Sequence, residues 1–244
     1  KMAASILVMP DTFTSLGGNQ FIDSTTMGRW GTWLKEDLRN ELNSRYNITG
    51  FGLVGKSSGG YGALVRGMLD NCWSAVACHS GDCGFELLFG IEMAATLTEI
   101  LPHGGAAQFL EYVRQSPSLK GDDFHTLMTL AMAATYDPDP DALKGIRLPV
   151  DPYTCELIPE RWQAWLDWDP VVLIEKQTVQ ENLRSMKGIF IDCGWKDQYN
   201  IHFGTRQLCV RLQELNIDHI HEEFEDNHSS IDYRMDVSLP FLYR

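Results

Sequence analysis

The run Phe51-Gly52-Leu53-Val54-Gly55-Lys56-Ser57-Ser58-Gly59-Gly60 constrains this chain more than any other stretch. Strand-type apolar residues lead directly into Gly-x-Ser-x-Gly, and Tyr61-Gly62-Ala63-Leu64-Val65 continues as a helix-forming segment. A strand, a sharp turn and a helix in immediate succession lift one serine Oγ above the carboxyl end of the strand. Ser57 is therefore the candidate nucleophile. A Cβ at Gly55 or Gly59 is expected to crowd strand or helix against the serine backbone. The backbone N–H of Ser58, the residue after the nucleophile, is the expected oxyanion donor.

The same residues satisfy a second pattern, because Gly50-x-x-x-x-Gly55-Lys56-Ser57 matches the phosphate-binding P-loop letter for letter. That loop needs its strand before the first glycine. Here Phe51, Leu53 and Val54 place strand residues inside it, and Gly59, Gly60 and Gly62 weaken the helix that would hold the phosphates. A nucleotide-binding reading stands as the lesser alternative.

Taken in order, Ser5-Ile6-Leu7-Val8-Met9 is a continuous apolar run closed by Pro10-Asp11 and reads as a buried parallel strand. The loop from Thr12 to Thr26 carries Gly17-Gly18, a candidate wall of a binding site. Between Gly28 and Tyr46, Trp30, Trp33, Leu34, Leu38 and Leu42 recur at helical spacing, which places the tryptophans on the core face. Ser74 to Cys78 reads as a further buried strand, so strand, helix and strand imply a parallel sheet with helices on its faces. His79-Ser80-Gly81-Asp82 follows at the carboxyl edge, where such sheets bind ligands; Asp82 is read either as functional or as a helix cap.

From about 84 to 178 the pattern changes to helices and loops, read as a helical cap or insertion within a single domain spanning 1–244. Trp162, Trp165 and Trp168 recur every third residue there and fit a helix packed on the core, with an aromatic substrate wall as the alternative. Strands resume at Gly188 to Gly194 and near Asp218 to Phe224, with an amphipathic helix between them.

Asp197 lies just beyond one of these strands and His228 just beyond the next. Nucleophile, acid and histidine thus fall in the chain order Ser, Asp, His. In that arrangement Ser57 attacks an acyl carbon, His228 takes and returns its proton, and Asp197 orients the imidazole and stabilises its charged form. Asp192 is the second choice of acid because it lies within a strand, and Asp226 is too near His228 in sequence. Trp195, beside the acid, is a candidate substrate contact.

With 33 Asp and Glu against 20 Lys and Arg, the formal charge of -13 repels nucleic acid and anionic lipid surfaces. No apolar run is long enough to span a bilayer, and a cytoplasmic location is expected. The six cysteines show no Cys-x-x-Cys pairing, so they are read as buried free thiols rather than zinc ligands. Cys78 and Cys83 flank His79, but a thiol nucleophile there is disfavoured because Cys78 ends an apolar strand. The remaining histidines present no ligand set, and no metal site is assigned.

The segments Val8-Met9-Pro10-Asp11, Gly55 to Leu64, His79-Ser80-Gly81-Asp82, Asp192-Cys193-Gly194-x-x-Asp197 and Glu223-Phe224-x-x-x-His228 together resemble the esterase D family of α/β-hydrolases. That family groups S-formylglutathione hydrolase with feruloyl and enterochelin esterases and with mycolyltransferases of the antigen 85 type. The resemblance implies an α/β-hydrolase fold, a triad of Ser57, Asp197 and His228, ester or thioester substrates and no organic cofactor. Acyl transfer with the same triad, or a catalytically silent binding module on this fold, are the alternatives, and a homo-oligomer is compatible with either. The chain departs from the family pattern at Ser58, where an apolar residue is usual, and at Asp226-Asn227, where glycines are. The family also has strands, and a loop supplying a second oxyanion donor, ahead of the segment matched by Val8 to Asp11. Either chain preceding Lys1 or the Gly17-Gly18 loop is expected to supply that donor.

Overall fold

The computed structural model describes residues 5–243. Four strands build its main sheet: β1 (Gly52–Lys56), β2 (Ala75–His79), β3 (Gly188–Gly194) and β4 (Ile220–Phe224), all parallel and adjacent in chain order. In register, Lys56 pairs with His79, His79 with Asp192, and Gly194 with Phe224, so the carboxyl ends of the four strands form one edge. A parallel pair needs a crossover. Helix α1 (Ser58–Leu69) joins β1 to β2, and α4 (Ile201–Glu214) joins β3 to β4. Between β2 and β3 the elements are helical, including α2 (Asp123–Tyr136) and α3 (Pro159–Leu166).

Alternation along the strands separates two faces. Val76, Cys78, Ile189 and Ile191 join the main core with Tyr61, Leu64, Val65 and Met68 of α1. Phe190 and His79 face the C-terminal helix α5 (Met235–Leu242) instead, with Phe190 5.7 Å from Phe241 and His79 bonded to Ser238. The helical region packs on the main core through an aromatic knot. Phe85 lies 5.0 Å from Tyr136, Tyr136 5.4 Å from Trp165, and Tyr61 6.0 Å from Phe85. Trp162 and Trp165 are buried in α3, so the tryptophan repeat serves packing, while Trp168 beyond the helix is half-buried.

Three expectations fail for identifiable reasons. Ser5 to Met9 forms no strand; Ile6, Leu7 and Val8 are exposed and Met9 is 83% exposed. A strand requires a ladder partner, and among the described residues Ile6 to Met9 are laddered to none of the four strands. It flanks a cavity of about 850 Å³ whose other wall is Phe51 to Val54. In consequence β1 is an edge strand, half-exposed where β2 is fully buried. The helix expected from Gly28 does form, as a turn at Trp30–Thr32, a π-helical stretch at Trp33–Leu38 and an α-helix at Arg39–Arg45, but its tryptophans do not reach the core. Trp30 and Trp33 stack edge to face at 5.7 Å and stay half-buried, leaving Leu34 as the buried side chain. Finally, a Cβ at Gly55 would stand 2.3 Å from the carbonyl of Gly59, whereas one at Gly59 would meet nothing; the second crowded position is Gly60, against the His79 carbonyl at 2.8 Å.

No helix among the described residues is long and apolar enough to cross a membrane. The cysteines are free, and burial pushes the Cys78 and Cys83 thiols up, away from the thiolate a nucleophile needs. The P-loop pattern dissolves, since Gly52–Lys56 is a strand rather than a loop.

Candidate active site

Ser57 stands between β1 and α1 with φ 58° and ψ −126°, a backbone conformation that costs a residue with a Cβ about 1–3 kcal/mol. Its surroundings hold it there. The Ser57 N–H donates to the His79 carbonyl at 2.9 Å, and the Ser57 carbonyl accepts from Tyr61 N–H at 2.8 Å. Gly55 and Gly60 allow the close approach of strand, turn and β2 that this geometry demands. The first N–H groups of α1, beginning with Ser58, have no partner within the helix and face the same edge as the serine.

His228 comes from the loop after β4. Its Nε2 lies 2.9 Å from Ser57 Oγ and its Nδ1 2.7 Å from Asp197 Oδ2. The carboxylate acts only as an acceptor, so the tautomer that satisfies both bonds carries its hydrogen on Nδ1 and accepts the serine hydroxyl at Nε2. Gly194 lets the loop come this close, because a Cβ there would strike the Asp226 carbonyl at 2.3 Å.

The supporting contacts include three residues that sequence reasoning missed. Gln198 Oε1 accepts from His228 N–H at 3.0 Å, Tyr199 N–H donates to Asp197 Oδ1 at 2.9 Å, and the Tyr199 ring packs edge-on against the imidazole at 4.8 Å. His125 Nε2 meets the Tyr199 hydroxyl at 3.2 Å. The only signal for Gln198 and Tyr199 was adjacency to Asp197. His125 had none.

Asp82 also stands at this edge, buried within electrostatic reach of His228 and Asp197, and burial pushes its carboxyl up to about 6. Trp195 is 43% exposed, with the Lys196 ammonium 5.0 Å from its ring. Gly17 and Gly18 belong to a loop closed on Thr14, whose carbonyl accepts the Gly17 N–H at 3.1 Å and whose hydroxyl donates to both glycine carbonyls. With its N–H occupied, Gly17 is not an oxyanion donor. Asp226 accepts from Asn227 N–H and the Tyr233 hydroxyl and takes no part in the histidine network. The described residues hold no group of three or more side chains fit to bind a metal.

Asp192, the second choice of acid, belongs to another arrangement. Its Oδ1 lies 2.7 Å from His79 Nδ1, and His79 Nε2 lies 2.8 Å from Ser238 Oγ. Arg234 Nε donates to Asp192 Oδ2 at 2.7 Å and its Nη2 to Glu222. All three members of this second Ser-His-Asp set are buried.

The chain has the α/β-hydrolase fold. A ferulic acid esterase superposes with a TM-score of 0.53 at 16% identity, over 94% of this chain and 66% of its own. An S-formylglutathione hydrolase from Agrobacterium tumefaciens gives 0.52 at 13%, over 92% and 62%. The substrate-bound fluorophosphonate-binding serine hydrolase F of Staphylococcus aureus gives 0.52 at 11%, over 92% and 68%. The chain thus spans about two thirds of the length of the structures it matches. No protein-family model and no curated protein sequence matches it.

Proposed function

We propose that this chain is a serine hydrolase of carboxylic esters or thioesters, acting through an acyl-enzyme on Ser57. The observation that carries the reading is the continuous chain of bonds from Ser57 Oγ through His228 to Asp197, at a strained turn on the open edge of the sheet. The esterases and serine hydrolases that share the fold support the same class.

Ser57 Oγ bonds to the acyl carbon as its proton passes to His228 Nε2, and the carbonyl electron pair moves onto oxygen, facing Ser58 N–H. Collapse of this adduct breaks the bond to the leaving alcohol or thiol, which takes the proton from Nε2. Water then adds to the acyl-enzyme with His228 as base, releasing the acid and restoring the Ser57 hydroxyl. Asp197 holds the tautomer and offsets the imidazolium charge in both halves. The helical region between β2 and β3 is assigned as the cap, with Trp195 and the Gly17-Gly18 loop as walls of the substrate site. No step calls for a metal or an organic cofactor.

The test is labelling with a fluorophosphonate probe followed by peptide mass spectrometry. Adduct is expected on the Ser57 peptide of the wild type and on neither Ser57→Ala nor His228→Ala. A folded wild type that takes up no probe would end the proposal.

A further inference from the structure

The buried carboxylates can be compared by what stabilises them, and Asp70 is paired with Lys35 and Arg66. Asp169 accepts from three backbone N–H groups, of Gly84, Phe85 and Val171; Asp192 has His79 and Arg234; Asp197 has His228 and Tyr199 N–H. Asp123 accepts from Lys120 N–H and the Tyr112 hydroxyl. Asp82 is different. It is 6% exposed, and among the described residues it forms no ion pair and has one hydrogen-bond donor, the neutral amide of Gln20, Nε2 to Oδ2 at 2.6 Å. Burial of a carboxylate with so little compensation is costly.

Gln20 compounds the cost. It is 1% exposed, and its Nε2 also contacts the Tyr136 hydroxyl at 2.7 Å. Its Oε1 is buried with no partner among the described residues. Flipping the amide would set oxygen against oxygen at Asp82, so the side chain is held for its donor nitrogen while its oxygen goes unsatisfied, at a cost in stability. The fold therefore holds at a definite location a carboxylate with one hydrogen-bond donor among the described residues, at Oδ2. Gly81 packs on the first turn of α1, where a Cβ would stand 2.6 Å from Tyr61 N, which puts Asp82 one residue beyond contact with the elbow.

We propose that Asp82, pinned by Gln20, is a specificity subsite that accepts a hydrogen bond from a hydroxyl group of the substrate. The inference rests on the reading of Ser57 as nucleophile. A hydroxyl suits the place better than an ammonium, because a neutral donor enters so enclosed a position with less desolvation. Asp82 is assigned direct contact with substrate. Gln20 is a positioning residue, acting through Asp82.

The experiment compares kcat/KM for matched esters on both sides of the scissile bond: p-nitrophenyl 3-hydroxybutyrate against p-nitrophenyl butyrate, and glyceryl butyrate against ethyl butyrate. A hydrogen bond to a charged acceptor contributes about 1.5–3 kcal/mol, so the wild type is expected to favour the hydroxylated member of one pair by about 10- to 100-fold. In Asp82→Ala that ratio is expected to fall to within about threefold of one, and in Gln20→Met to an intermediate value. Loss of a hydrogen-bonding subsite moves the ratio, whereas a purely structural role lowers both members alike. Wild-type ratios near one for both pairs overturn the proposal, as does a preference that survives Asp82→Ala. If Asp82→Ala does not fold by circular dichroism, the near-isosteric Asp82→Asn takes its place, with at least a threefold fall in the ratio expected. Fluorophosphonate labelling of the wild type separates the two claims. Labelled Ser57 with flat ratios sinks this inference alone, and unlabelled Ser57 sinks the hydrolase reading with it.

Discussion

Two Ser-His-Asp sets occur in this one chain, and their bond lengths barely differ. Ser57, His228 and Asp197 are joined at 2.9 and 2.7 Å, Ser238, His79 and Asp192 at 2.8 and 2.7 Å. Their settings differ in every other respect. Ser57 sits on a strained turn beside the first N–H groups of α1, while Ser238 lies inside α5, a helix that contains Pro240, and is wholly enclosed. Asp197 serves one imidazole, whereas Asp192 also holds the Arg234 guanidinium. Distances within such a set do not make a nucleophile. Access for an acyl carbon, a donor aimed at its oxygen and a backbone that presents Oγ outward decide the matter.

The sharpest break between the sets is expected at the serines. With p-nitrophenyl acetate as substrate, Ser57→Ala should lower kcat by about 10⁵- to 10⁶-fold, and Ser238→Ala should stay within about threefold of wild type. Loss of activity in Ser238→Ala would undo the contrast. The acids come next. Asp197→Asn should cost about 10⁴-fold in kcat with little change in urea midpoint. Asp192→Ala should instead destabilise by about 3–5 kcal/mol in urea titrations, because it leaves Arg234 and His79 without their shared carboxylate.

Asp82 belongs to neither set and supplies a control of opposite sign. Burial, helped a little by the charges of Asp197 and Asp169, raises its carboxyl from 3.8 to about 6 against the smaller lowering influences of Gln20 and His228. The folded state therefore prefers the protonated acid, whose contribution is intact below pH 3.8 and is lost as pH rises through about 6. Asp82→Asn should match wild-type stability near pH 3.5 and exceed it by up to about 3 kcal/mol at pH 8. A constant difference across that range would show that Asp82 does not titrate in this way. The smallest effect is expected from Ser238→Ala in the same urea assay, about 1–3 kcal/mol, for leaving His79 Nε2 buried and unpaired.

The elbow, the four strands and the Ser, Asp, His order were legible because each depends on neighbours in sequence or on a strand end. The second set was not. Its members lie on β2, β3 and α5, and only the stacking of those elements makes them adjacent. Gln20 and Asp82 meet for the same reason, across a separation of 62 residues. The failure at Ser5 to Met9 is of another kind: an apolar run specifies a strand only where an edge receives it. Likewise Trp30 and Trp33 had the helical spacing of core residues, yet the core closed over Leu34.

The placement of Ser57 at the end of an edge strand bears on how the molecule fails when heated. β1 is laddered to β2 on one side only, so the amides on its other side lack a sheet partner among the described residues. The posture of Ser57 then depends on glycine packing and on its bonds to the His79 carbonyl and Tyr61 N–H, while β2 and β3 are each held on both sides. Local opening of β1 requires less than opening of the sheet. Catalysis should accordingly fade at a lower temperature than the loss of the fold, with the two curves separated by the interval over which the edge strand frays.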